Sequence, residues 1–253
     1  MYKIGLKLWS INTDYYYDEA IRLYNEGVFD FIELYVVPDT FDTIKKWEKL
    51  NIPFTIHAPH FNHGVNLADY TKFEYNKNIF NQMFKIADKL NVEYIIFHPG
   101  VLGDINETIK QLNKIKDDRM IVENKPPYQV PSMRLCRGSS IEEIKKIVNE
   151  TNLKICLDIG HAICSANYFK EDPYYYLQKF QDLNPVYYHF VDNFIDNTKD
   201  KHLNLGHGNY DIHYILNNIL NKSNPLLLET NKNSKIDLND FEEDIKFIKY
   251  IKE

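Results

Sequence analysis

What most constrains this 253-residue chain is a regular beat of short apolar runs. Eight of them recur from end to end: KIGLKLW (3–9), FDFIELY (29–35), PFTIHA (53–58), YIIFH (94–98), RMIVEN (119–124), KICLDI (154–159), VYYHFV (186–191) and PLLLET (225–230). Runs this rich in β-branched and aromatic residues suit strands covered on both faces, as parallel strands are. The stretches between them read as helices. DEAIRLYNEG ends on a glycine stop, NKNIFNQMFKIADKL carries an apolar stripe at helical spacing, and SSIEEIKKIVNE opens with a capping box from Ser140 to Glu143. LNDFEEDIKFIKYIKE (238–253) supplies the last helix, and DPYYYLQKF (172–180) starts another with Pro173 in its first turn. Eight βα units without a Pro/Gly-rich linker predict one domain, a single (β/α)8 TIM barrel of the usual length. The competing architecture is a doubly wound open sheet, which the missing glycine-rich phosphate loop after the first strand disfavours.

Composition narrows the function classes. The 44% hydrophobic and 26% charged content is that of a globular protein. No segment approaches the ~20 apolar residues of a membrane span, and the N-terminus lacks a secretory pattern. Three cysteines (Cys136, Cys156, Cys164) are too few for a disulfide framework and suit a reducing, cytoplasmic location. Cys156 and Cys164 read as buried small hydrophobes rather than thiolate ligands. A net charge of −6 gives no footprint for non-specific nucleic-acid binding, although a local patch can override it.

Barrel chemistry sits at the C-terminal strand ends, and there the polar residues concentrate. Strand three ends at His57, strand four at His98 and strand five at Glu123; strand six offers Asp158 and then His161; strand seven gives His189 and, beyond it, Asp200 and His202; strand eight ends at Glu229. A lone histidine at such a place is usually structural. Here nothing basic lies beside most of these ends, and several buried carboxylates and imidazoles converging without counter-charges is the composition of a divalent-cation site. In HAPHFNHG (57–64), only His57 is predicted to face the barrel axis; His60 and His63 lie on the rim, His60 as a substrate contact. Trp9 and Tyr35, near the ends of strands one and two, offer an apolar floor to the mouth, although core packing is the commoner fate of such aromatics. Lys125, Arg134 and Arg137, in the insert after strand five, read as a lid gripping an anion, with Tyr128 as a stacking face.

The segments HAP (57–59), HPG (98–100), VEN (122–124), DIGH (158–161), HFVDN (189–193), DKHLNLGHG (200–208) and LET (228–230) occur in order on the right strands. In this the chain resembles the xylose isomerase-like TIM-barrel superfamily, which includes endonuclease IV and sugar isomerases and epimerases. The resemblance implies a trinuclear zinc site. His57, His98 and Glu123 would hold one ion; Glu123 would bridge to a second held by Asp158, His189 and Glu229; His161, Asp200 and His202 would hold the third. Two to three zinc ions and a phosphodiester substrate such as abasic DNA would follow, with Glu123 and Glu229 in catalytic roles. The epimerase branch implies instead one Mn, Mg or Co ion on Glu123, Asp158, His189 and Glu229, those two glutamates shuttling a proton on a small sugar or sugar phosphate. His207 stands where the endonuclease pattern usually has an acid, and is taken with the substrate-binding residues.

Overall fold

The computed structural model describes residues 2–129 and 132–250. Eight parallel strands close into a barrel, in the order of the chain: β1 (Ile4–Trp9), β2 (Phe31–Tyr35), β3 (Phe54–His57), β4 (Ile95–Phe97), β5 (Met120–Glu123), β8 (Lys154–Asp158), β9 (Tyr187–Phe190) and β10 (Leu226–Leu228), which pairs back onto β1. Each of the eight predicted strands is present within two residues of its expected limits. The insert after β5 forms a small antiparallel hairpin, β6 (Tyr128–Gln129) with β7 (Arg134–Leu135); residues 130 and 131 of that insert lie outside the described residues. The same holds for 251–253 of the last predicted helix, which is described over Asn239–Tyr250.

The helices form where the patterning puts them. The long helix Phe73–Lys89 buries Ile79, Phe80, Met83, Ile86 and Ala87, the 3–4-residue stripe seen in the sequence. The helix Ile141–Thr151 is capped by Ser140, whose Oγ accepts from the Glu143 amide. The reciprocal half of the capping box is diverted: the Glu143 carboxylate accepts from the Gly138 amide and pairs with Arg137, tying the β6–β7 insert to the helix start. The helix Pro173–Gln181 starts at Pro173, behind an Asp172 cap. Among the described residues no helix is long and apolar enough to cross a membrane.

Because side chains alternate along a strand, one set of every strand points to the helices and the other into the barrel. The outward set (Ile32, Leu34, Ile95, Phe97, Val122, Leu157, Tyr188, Phe190, Leu228) joins the main core under the helices. The inward set begins as an apolar plug of Phe31, Ile96, Ile121, Cys156, Tyr187 and Leu227. Gly5 completes it, since a Cβ there would lie 2.4 Å from the Phe31 ring and 2.7 Å from Leu227. Two residues further along each strand the inward positions become Lys7, Glu33, His98, Glu123, Asp158, His189 and Glu229. Thus the period of two that fills the barrel floor also aims the polar residues into its mouth. Cys156 is part of the plug, and all three cysteines are buried and free, as expected.

Candidate metal centre

All nine predicted ligands converge at the mouth. Their donor atoms include three groups, within each of which the atoms lie no more than 4.8 Å apart: His57, His98 and Glu123; Asp158, His189 and Glu229; and His161, Asp200 and His202; two more groups at the same spacing overlap these, Glu33 with His57 and Glu229, and Glu123 with Asp158 and His161. Glu123 is the hub. Its Oε2 lies 3.2 Å from His57 Nε2, 3.1 Å from His98 Nε2 and 3.5 Å from His189 Nδ1, while Oε1 is 3.0 Å from His161 Nδ1.

Neighbouring groups fix how the imidazoles are presented. His57 Nδ1 donates to the Ala58 carbonyl, His161 Nδ1 to that of Asn124 and His202 Nδ1 to that of Glu229, each within 3.0 Å. A carbonyl only accepts, so in all three rings Nδ1 carries a hydrogen and Nε2 is the nitrogen left to face an ion. In His189 the order is reversed. Its Nε2 donates to Glu33 Oε2 at 3.0 Å, which turns Nδ1 toward Asp158 and Glu229. Oriented imidazoles of this kind are the usual outer support of a metal site. Asn124 adds a clamp between two ligand strands, its side chain exchanging both hydrogen bonds with the Asp158 backbone. Gly160 permits a close approach, because a Cβ there would press 2.8 Å from Val191 and 3.3 Å from Asp200.

Three buried ligand atoms make no well-formed hydrogen bond among the described residues: Asp158 Oδ2, His189 Nδ1 and Asp200 Oδ2, the last of which is ion-paired at 2.9 Å with His202 Nε2. Orphaned buried polar atoms are costly. Two of these belong to the second group and one to the third, and a divalent ion held by imidazole and carboxylate would satisfy them. The donor set therefore fits a divalent ion.

The charge state agrees. Burial opposes a charged His161, but Asp158, with Asp200 and Glu123, outweighs it and lifts its pKa to about 10. Burial is likewise outweighed by Glu229, Glu33 and Glu123 at His189 and by Asp200 at His202, each raised to about 9. Burial, followed by Lys7 for His57 and Lys125 for His98, holds those two rings below the usual histidine range. Burial lifts Asp158 to about 6. Without an ion, then, three imidazolium groups balance the surplus carboxylates.

The structure corrects one expectation. Counter-charges are present: Lys7 on β1 bridges Glu33 and Glu229, and Lys125 Nζ lies 2.9 Å from Glu123 Oε1. Lys7 sits inside an apolar-looking run and Lys125 in what reads as a surface loop, so their inward aim emerges only once the barrel closes. Glu33 is fully buried opposite Lys7 on β2.

The ligands open into a cavity of about 540 Å³. Trp9 and Tyr35, stacked at 4.5 Å between ring centroids, line it as expected, as do His60 and Tyr128. His60 stacks on His98, whereas His63 sits behind Tyr35, its Nδ1 2.8 Å from the tyrosine hydroxyl. Lys232 and Asn231 after β10, and Asn12 after β1, also face the cavity; in the sequence they carry no signal that separates them from other loop residues. Three expected substrate contacts lie elsewhere. Arg137 spends its guanidinium on the Leu102 and Gly103 carbonyls and on Glu143. Arg134 covers the Phe61 ring on the outer side of the insert. His207 is exposed and does not line the cavity; its loop is held by Asp192, which accepts from the Gly206, Gly208 and Tyr210 amides.

Residues 26–251 match the family model described as xylose isomerase-like TIM barrel. A "probable endonuclease 4" of Mycoplasma capricolum is 26% identical over 190 residues, covering 66% of this chain and 63% of that protein. The chain thus spans less than two thirds of that relative's length. Among solved structures, endonuclease IV from Thermus thermophilus superimposes with a TM-score of 0.71 at 19% identity, covering 98% of both chains. A D-tagatose 3-epimerase-like protein does so with a TM-score of 0.73 at 19% identity, covering 98% of this chain and 96% of the other. At such identities the two structures speak to fold alone. By the family match, with the closed barrel and its polar mouth beside it, the chain belongs to the xylose isomerase-like TIM-barrel family.

Proposed function

We propose that the chain is a zinc-dependent phosphodiester hydrolase acting on abasic DNA, in the manner of endonuclease IV. The observation that carries this reading is the arrangement of five residues that single-ion sugar chemistry does not need. His57 and His98 complete one donor group around Glu123, and His161, Asp200 and His202 form another, with Asp200 Oδ2 2.9 Å from His202 Nε2 and 3.3 Å from His161 Nε2. Bound zinc would supply Lewis-acid charge, acidifying a water and neutralising the oxygens of the phosphate and the leaving alkoxide. Glu123, in contact with ligands of each group, would hold its negative charge at the centre of the cluster. Lys232 adds a cation to the cavity wall that favours an anionic substrate, and the Trp9–Tyr35 stack offers a flat apolar face to a deoxyribose or base.

A second reading is a ketose or sugar-phosphate epimerase using one Mn, Mg or Co ion on Glu123, Asp158, His189 and Glu229. The close contacts of Lys125 with Glu123 and His98 favour it, because they engage donors that a further ion would need. The deciding experiment is nicking of a duplex bearing one abasic site, run beside interconversion of D-fructose and other ketoses. Strand cleavage at the abasic site, abolished by Glu123→Gln, supports the hydrolase. Ketose turnover without cleavage replaces it with the epimerase.

A further inference from the structure

Lys125 occupies an unusual place. It follows directly on the VEN segment, yet its side chain turns inward and is almost fully buried. Its Nζ lies 2.9 Å from Glu123 Oε1, 3.0 Å from His98 Nε2 and 3.3 Å from His161 Nδ1. Each of those residues is a candidate ligand. The backbone holds it there: the Lys125 amide donates to the Gly138 carbonyl at 2.9 Å, and the Lys125 carbonyl accepts from Ser165 Oγ at 3.1 Å. Pro126 and Pro127 follow, restricting the chain on its outer side.

An imidazole nitrogen has one lone pair. His98 Nε2 can accept from the Lys125 ammonium or coordinate an ion, not both. A zinc ion held by that nitrogen, at the usual distance of about 2.0–2.1 Å, would compete for the one lone pair with an ammonium 3.0 Å away. Two cations so close repel strongly in a site with little solvent. In the second group Lys7 engages Glu229 Oε1 alone, which leaves the other carboxylate oxygen for an ion, and in the third Lys125 stands 3.5 Å from His161 Nε2; these two groups hold the three ligand atoms without a hydrogen bond noted above.

We infer that Lys125 is a built-in cation that takes the place of the ion on His57, His98 and Glu123, so that the chain holds two zinc ions rather than three. The ammonium then supplies, as a fixed single charge with three donors, the positive field that an ion would otherwise place beside Glu123 and the mouth. This rests on the multi-ion reading proposed above.

The test titrates zinc alone into chelator-stripped protein and counts ions per chain by native mass spectrometry. Wild type should saturate at two ions, and Lys125→Met and Lys125→Ala should each accept a third. Lys125→Arg, which retains the charge, should remain at two. Because a variant could fail to fold, the His98 ring is also read directly in zinc-loaded wild type by nitrogen NMR. Its Nε2 should keep the shift of a hydrogen-bonded imidazole and not take that of a metal-bound one. Three ions in wild type, or a metal-bound His98, overturn the role of Lys125 and leave the multi-ion reading standing. A single ion or none in wild type and variants alike overturns the multi-ion reading and this inference with it.

Discussion

Lys7→Met removes the ammonium that bridges Glu33 and Glu229 at the base of the mouth, and its cost can be worked from the contacts. Lys7 is 8% exposed and Glu33 not at all, and the Nζ–Oε1 distance is 2.5 Å to each glutamate. Burial works against the Glu33 carboxylate, but His189 and Lys7 outweigh it and hold its pKa at about 2. Without Lys7, Glu33 keeps Tyr187, whose hydroxyl donates at 2.8 Å, and His189 at 3.0 Å. Removing one partner of a buried pair costs about 3–5 kcal/mol, because the other charge is left behind. The two surviving partners put this case near the lower end, about 3 kcal/mol. At this chain length 1 kcal/mol moves the melting temperature by roughly 2 °C, so a fall of about 6 °C is predicted. The assay is thermal unfolding by circular dichroism in the presence of a chelator, which keeps ions from compensating. Lys7→Met/Glu33→Gln should melt above Lys7→Met, since the second change removes the stranded charge. A single variant melting within about 2 °C of wild type, or a double variant below the single, would refute the reasoning.

Glu123→Gln should lower turnover by at least about 10³-fold, since this carboxylate contacts ligands of all three donor groups; steady-state kinetics at saturating zinc checks it. His202→Ala should cost one bound ion and most hydrolytic activity, whereas a one-ion epimerase would keep its ion and most of its ketose turnover, so metal counting and turnover are measured on the same sample. Zinc affinity should climb as pH rises from about 6 to 9. His161, His189 and His202, with pKa values raised to about 10, 9 and 9, must shed protons to coordinate. Calorimetric titration in buffers of different ionisation enthalpy would reveal the proton release, and a flat pH profile would contradict it. Gly5→Ala should destabilise by about 1–3 kcal/mol through overpacking of the barrel plug against Phe31 and Leu227, read as a lower urea midpoint.

Much of this was legible in the residues, for a definite reason. Parallel strands buried on both faces read as apolar runs, and in a closed barrel the last inward residue of each run must point into the mouth. His57, His98, Glu123, Asp158, His189 and Glu229 therefore declare themselves by position. His161, Asp200 and His202 lie beyond strand ends; they stand out on the rim too, but only the family resemblance groups them as one ligand set. What escaped was the counter-charge. Lys7 sits between leucines at an inward position as plain as the ligands', yet a lysine in an apolar run reads as a strand edge. Lys125, Arg134 and Arg137 look alike as loop cations. Only the folded insert separates them, sending Lys125 into the cluster, Arg137 to backbone carbonyls and Arg134 onto an aromatic ring. Long flexible side chains choose their partners in three dimensions, and sequence spacing does not encode that choice.

The most direct test of the central claim is the metal content of the protein purified without added metal or chelator, by elemental analysis against accurate protein concentration. The account predicts more than one zinc per chain. One ion of manganese, magnesium or cobalt, or no metal even after zinc is offered, would contradict it.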